Sequence, residues 1–331
     1  ERIRGREGGV KLVADISTGH NIYIASMLEA LRAIIVYDKL GNGVTGGKVD
    51  AAYAVSEPVA SGGVQSRRIF INEYDVKAFF ALPIKPQNLD TLTKLEYYVE
   101  CDGDNKKRIS RETEDTRRKL KDLLDNLAVA FNSIRYNVPL AFYHTGLIRL
   151  DLKAVEVEEE LVAFLKKLEE IKPVSESKQN EYVVTVTNLK WKDLFNLFYS
   201  IALFKWISNE MGGLGGNKLA SVTELKKKFT QIYNMLGLSL NSRFLERDLN
   251  EIENKKNEIQ DGEWTPLKDL FRGEGGEKGP PRTSDPKRNF FAHSGLERTV
   301  VEVKKCGEEI CLRYNEQKLG EIRSWLLEPE G

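Results

Sequence analysis

The chain has little of what small proteins use to staple themselves or to hold a metal. Three cysteines (Cys101, Cys306 and Cys311) and three histidines occur in 331 residues. The cysteines are too few and too scattered for a disulfide framework or a Cys-based zinc site. Cys306 and Cys311 are near enough in sequence to meet across a hairpin, but buried or free thiols are the expectation. No apolar run reaches the ~18 residues of a membrane helix, so no membrane contact is expected. An excess of charge is missing too, since 50 Lys and Arg face 50 Asp and Glu. That balance argues against a protein held on nucleic acid by bulk electrostatics, and any such contact must be local. The sequence opens on Glu1 with no signal peptide, which predicts a cytoplasmic protein trimmed at its N-terminus.

What is present is material for packed cores. Hydrophobic residues make up 41%, with 14 Phe, 12 Tyr and 4 Trp, and the length predicts two domains. Residues 10–16 read as a short apolar strand, leading through Ser17-Thr18-Gly19-His20-Asn21 into a helix over 22–37. Strand, small polar loop and helix is the arrangement that sets ligands at the carboxyl edge of a Rossmann-like sheet. The loop's hydroxyls, imidazole and amide suit adenine edges and ribose-phosphate, and Gly19 permits close approach. The loop lacks the Gly-x-Gly-x-x-Gly spacing, which disfavours a nicotinamide or flavin dinucleotide. A plain helix cap by Ser17 or Thr18 is the competing reading.

Further strands are expected at 51–55, 69–71 and 77–84, and a long amphipathic helix over 111–131. Lys106-Lys107-Arg108 reads as a solvated loop, and His144, among apolar neighbours, as structural. Residues 151–188 form a small mixed connector, with a helix over 156–171 and a strand over 182–187. From 189 the pattern is mainly helical, over 191–211, 222–236, 243–259 and 267–271. A hairpin at 300–303 and 310–314 and a last helix over 322–327 close the chain. Lys226-Lys227-Lys228 is the best generic phosphate patch, although a solvated helix face is the plainer reading.

The stretch from Ser284 to Gly295 reads as a short helix with both ends marked. Ser284 or Asp285 can cap it, Pro286 suits its first position, and Gly295 can take the left-handed conformation that stops it. It carries Arg288, Asn289 and His293 beside an apolar Phe290-Phe291 side. An imidazole can take and give a proton near neutral pH, and a guanidinium can stabilise charge on phosphate. An Arg-x(4–6)-His spacing alone is weak evidence, since with three histidines and three tolerated spacings this composition yields such a pair by chance about half the time. The surrounding Asn, paired Phe, small Ala292 and His-Ser-Gly ending make it specific.

Arg288-Asn289-Phe290-Phe291-Ala292-His293 resembles the motif of HEPN ribonuclease domains, and Asp15-Ile16-Ser17-Thr18-Gly19-His20-Asn21 resembles the ligand loop of CARF domains. The two occur in the order of the CARF–HEPN ancillary ribonucleases of type III CRISPR systems. The resemblance implies an α/β Rossmann-like N-terminal sensor domain (1–150), a connector (151–188) and a mainly α-helical HEPN domain (189–331). It implies metal-independent cleavage of single-stranded RNA by Arg288, Asn289 and His293, with no cofactor and no bound metal. It also implies a homodimer activated allosterically by cyclic oligoadenylate, held by Ser17, Thr18, Gly19, His20 and Asn21. On this resemblance, the family's first strand and its loop are expected to be absent from this sequence. An alternative reading is a non-catalytic DNA- or RNA-binding regulator with a nucleotide-sensing domain.

Overall fold

The first elements form where the apolar pattern predicts, as β1 (Val10–Asp15), α1 (Asn21–Asn42), β2 (Val49–Ser56) and β3 (Ile69–Glu73). The computed structural model describes residues 10–17, 21–42, 49–56, 68–74, 82–99, 101–168, 189–214, 219–271 and 285–329. The chain divides into two compact units, Glu1–Ala81 and Leu82–Gly331.

In the first unit β1 and β2 run parallel, in register from Val10 opposite Val49 to Asp15 opposite Ala54. Parallel neighbours need a crossover, and α1 supplies it, giving a β-α-β unit. Leu31, Ile35, Val36 and Leu40 of α1 are buried, as are Val49, Ala51, Ala52 and Ala54 of β2. The third strand, β3, pairs antiparallel with β2, with Ala52 opposite Glu73. The described sheet therefore has the order β1-β2-β3. Most of the strand expected at 77–84 lies outside the described residues, and residues 82–84 are not in a strand.

The second unit begins with α2 (Leu89–Leu92), α3 (Gly103–Glu112), α4 (Glu114–Arg135) and α5 (Ala154–Leu168). Next come α6 (Trp191–Glu210), β4 (Ala220–Ser221), α7 (Val222–Met235) and α8 (Ser239–Asn254). β5 (Thr265–Pro266), α9 (Leu267–Leu270), α10 (Pro286–Ala292), β6 (Val301–Cys306), β7 (Glu309–Tyr314) and α11 (Leu319–Leu327) complete it. The Lys106-Lys107-Arg108 run expected in a loop lies within α3, because Asp102 caps that helix and Ile109 is buried under it. The strand expected at 182–187 lies outside the described residues.

At the centre is α4, whose Leu120, Leu123, Leu124, Leu127, Ala128, Phe131 and Ile134 are all inaccessible or nearly so. It packs on α5, α6 and α11, and Asn132 Nδ2 donates to the Leu326 carbonyl of α11 at 2.6 Å. This shared apolar stripe is why the division falls at residue 81 and not near 150. The helix over 191–211 needs its broad apolar surface because it meets α4 and α5 together. Among the described residues no helix is long and apolar enough to cross a membrane.

One four-stranded sheet, in the order β4-β7-β6-β5, lies in this unit. Its β6–β7 hairpin sets Lys304 opposite Cys311 and Cys306 opposite Glu309. Cys306 and Cys311 are joined in a disulfide, with Cα atoms 6.0 Å apart. The expectation of free thiols is thus corrected, since the diagonal register brings both to the end of the hairpin. Cys101 is free.

His144 packs its ring on Tyr314, with centroids 5.2 Å apart, and its Nε2 accepts the Tyr314 N–H at 2.9 Å. Burial, aided by the nearby Arg313 charge, pushes its pKa down to about 4. This is the structural role its sequence context predicts. Because the folded pKa lies below the unfolded value, His144 costs stability as pH falls from about 6.5 to about 4. Urea unfolding is expected to lose up to about 1.4 kcal/mol per pH unit to this group in that window. His144→Gln, which can still accept the Tyr314 N–H, is expected to flatten that slope.

Candidate active site

The short helix α10 starts as its sequence dictates. Asp285 is the N-cap, accepting from the N–H of Lys287 and of Arg288, and Pro286 occupies the first position. Phe290 is wholly buried, with Phe291, Tyr314 and Trp325 rings around it at 5.3, 6.0 and 5.2 Å. That anchor turns Arg288 and His293 outward to exposed positions and leaves Asn289 half-buried. Arg288 makes no side-chain hydrogen bond or ion pair within the described residues. Ser284 lies outside them.

The far end of α10 is built differently from the simple glycine stop. His293 is the C-cap, its N–H donating to the Asn289 carbonyl at 3.0 Å. The left-handed residue that follows is Ser294, with φ 54°, and Gly295 extends the bend at φ 72°. The Gly295 N–H closes it on the Phe290 carbonyl at 2.8 Å, the six-to-one bond of a Schellman cap. Gly295 is also required for space. A Cβ there would lie 2.6 Å from Val138 Cγ1 and 2.8 Å from the Tyr314 hydroxyl.

The end of α4 makes the same cap and meets this one. Asn137 has φ 60°, and Val138 N–H donates to the Ser133 carbonyl at 2.7 Å. Among the described residues Asn137 and Ser294 are the two non-glycines with positive φ, and they are bonded, Asn137 Nδ2 donating to Ser294 Oγ at 2.9 Å. Asn241 of α8 joins them by donating to the last carbonyls of α4, Ile134 and Arg135, both at 3.2 Å.

Asp248 of α8 completes the cluster from below, only 5% exposed. Its Oδ2 accepts the Ser294 hydroxyl at 2.7 Å. Its Oδ1 accepts Nε and Nη2 of Arg247 at 3.1 and 2.8 Å, and lies 4.0 Å from His293 Nδ1. The carboxylate in turn raises the Arg247 pKa above its usual value. The structure therefore brings His293 to Asp248, Arg247, Ser294 and Asn137, while no bond joins it to Arg288. Arg247 and Asp248 carry no sequence signal, being an ordinary charged pair in a charged helix. Asn137 does carry one, as an Asn after a helix and two residues before Pro139. Among the described residues no three His, Cys, Asp or Glu side chains converge as metal ligands would.

In the first unit, Ser17 lies just past the carboxyl end of β1 and Asn21 opens α1, exposed. Thr18, Gly19 and His20 lie outside the described residues. Ser17 donates its N–H and its hydroxyl to Asp15 Oδ1 at 2.9 and 2.5 Å, and accepts the Ser56 N–H at 2.8 Å. These bonds hold the Asp15 carboxyl below the usual range and tie the ends of β1 and β2 together. Lys226 of the triple-lysine run is taken by Asn250 and Glu253 of α8.

Residues 238–316 match the family model described as the HEPN domain of the CRISPR system endoribonuclease Csx1. The matched segment holds α8, α10 and the hairpin, and so Arg247, Asp248, Arg288, Asn289 and His293. No curated protein matches the chain significantly.

Gly295→Ala is expected to lower stability by at least about 1 kcal/mol in urea unfolding, from its left-handed backbone and its contact with Val138. Gly320→Ala, where a Cβ meets nothing within 4 Å, is expected to be neutral or stabilising in its helix.

Proposed function

With a CRISPR-associated HEPN ribonuclease domain at residues 238–316 as the premise, we propose that the chain is an endoribonuclease that cuts single-stranded RNA without a metal ion. Arg288, Asn289 and His293 carry the chemistry. The observation that supports this most is that α10 presents an exposed imidazole and an exposed guanidinium, unpaired among the described residues, inside that matched segment.

The reaction is transfer of the RNA backbone phosphate to the adjacent 2′-hydroxyl. The 2′-oxygen–phosphorus bond forms, the bond to the 5′-oxygen breaks, and a cyclic phosphate and a 5′-hydroxyl result. A proton must leave the 2′-hydroxyl and another must reach the 5′-oxygen, and an imidazole near neutral pH serves either step. Arg288 stabilises the charge on the pentacovalent phosphate. Asn289, one residue on, positions backbone or substrate. Five residues of helix turn about 500°, so Arg288 and His293 point roughly 140° apart. We therefore take the active form as a homodimer in which two copies of α10 face one another.

The first unit is read as a Rossmann-like sensor whose Ser17–Asn21 loop binds cyclic oligoadenylate as an allosteric activator, in a cytoplasmic protein. Ligand acts by favouring one relation between the catalytic domains of the dimer, so its effect equals its differential affinity for the two states.

The test is incubation of the purified chain with labelled single-stranded RNA in EDTA, with and without cyclic tetra- and hexa-adenylate. Cleavage to cyclic-phosphate ends is expected to persist in EDTA and to fall at least about 10²-fold in His293→Ala. Full activity in that variant, or activity that EDTA abolishes and a divalent ion restores, would overturn the proposal. Asn21→Ala is expected to raise the cyclic oligoadenylate concentration needed for half-maximal activation; an unchanged titration removes the loop from the ligand site.

A further inference from the structure

The densest group of chemistry-bearing side chains apart from Arg288 and Asn289 is the one gathered on Asp248. We propose that Arg247 is a further ligand for the substrate's phosphate, and that Asp248 is the positioning residue that holds it beside His293. This rests on the ribonuclease reading above.

A carboxyl group only 5% exposed needs its oxygens filled by donors. Ser294 fills Oδ2, and Arg247 fills Oδ1 with two N–H groups. A guanidinium has five N–H groups in a fixed fork. Two are thus committed inward, and the other three make no bond within the described residues. The side chain is 51% exposed, so the uncommitted donors face solvent. Phe244, one turn earlier on α8, adds a second restraint, its ring centroid 5.3 Å from the guanidinium carbon. Arg247 is therefore a cation fixed in direction, unlike a free surface arginine that must be immobilised when it binds.

Its neighbour on the same carboxylate oxygen is His293. Nη2 of Arg247 lies 2.8 Å from Oδ1 and Nδ1 of His293 4.0 Å from it, so the two nitrogens are less than about 7 Å apart. Both groups thus stand at one carboxylate oxygen, close enough together to meet the same phosphodiester. Asp248 faces the Nδ1 edge of the ring at 4.0 Å, an ion-pair distance longer than a hydrogen bond, and Nε2 lies on the opposite edge for proton transfer. A carboxylate that fixes imidazole orientation through one nitrogen is a general way of preparing the other for acid–base work. The competing reading is an ion pair between adjacent residues with no role in binding, and half-exposed pairs of that kind contribute little.

The experiment uses the full chain and single-stranded RNA with 2′-O-methyl riboses, which binds but cannot be cleaved at a blocked 2′-oxygen. Arg247→Ala is expected to weaken its binding about tenfold in fluorescence anisotropy and to lower the slope of log affinity against log salt by about 0.7. With cleavable RNA the same variant is expected to raise KM more than it lowers kcat. Asp248→Asn, in protein whose melting shows a folded chain, is expected to lower kcat at least tenfold, because His293 loses its orienting charge. Wild-type affinity and salt slope in Arg247→Ala, in a preparation that His293→Ala inactivates, would overturn the proposal and leave the ribonuclease reading standing. Unaltered cleavage by His293→Ala would instead remove the ribonuclease reading, while weakened binding in Arg247→Ala would still assign Arg247 to RNA.

Discussion

The hydroxyl of Ser294 is the point on which the region around His293 depends. It donates to the buried Asp248 and accepts from Asn137, and it sits on a backbone bent to φ 54°. A left-handed residue other than glycine costs roughly 1–2 kcal/mol, and a hydrogen bond to a charged group contributes about 1.5–3 kcal/mol. The bond to Asp248 alone is thus large enough to hold the bend, and the amide of Asn137 restrains it from the other side. The bend sets the last position of α10, so the direction of the His293 side chain is fixed by a residue that need not touch substrate. Glycine would relieve the strain at 294, but would leave an oxygen of Asp248 and the Asn137 amide without their common partner.

This point can be rigid because three elements meet at it. The ends of α4 and α10 make the same kind of cap, and α8 brings Asn241 to one and Asp248 to the other. Behind them Phe290 fills the space between Trp325 and Tyr314, and Val138 closes on Gly295. Helix α4 lies outside the segment matched to the HEPN model, yet its carboxyl end holds that segment, through Asn137 on Ser294, Val138 against Gly295 and the Ile134 carbonyl bonded by Asn241. A boundary placed near residue 150 would separate α10 from that support.

How far the sequence disclosed this differs by element. The strand–loop–helix start, the long helices, the hairpin and the capped α10 are legible because period, cap and turn residues agree locally. The Asp102 cap was equally local, but a run of charges obscured the helix it begins. What sequence cannot show is which helices share a core, since the stripes on α4 and α6 fit any apolar neighbour. The same holds for the site. Arg288 and His293 stand in one short motif and can be read together, whereas Asp248 and Ser294 are 46 positions apart and joined only by the fold. The disulfide is less legible for a related reason, because spacing permits a hairpin pair but only register brings Cys306 and Cys311 together.

The conformation of His293 also bears on how the site is assembled. Its φ of −115° departs by about 50° from the helical value, so its side chain does not point where a continued helix would send it. That departure is too small to cancel a separation of about 140° from Arg288. Within one chain, the guanidinium at hand for His293 is therefore that of Arg247, on the carboxylate they share. Arg288 is exposed on another side of α10, without a side-chain partner among the described residues. In the proposed dimer, a second copy related by a two-fold axis would bring its own imidazole toward each Arg288, while Asp248 and Arg247 stay beside each His293. On this arrangement, assembly supplies one cation and the fold supplies the other.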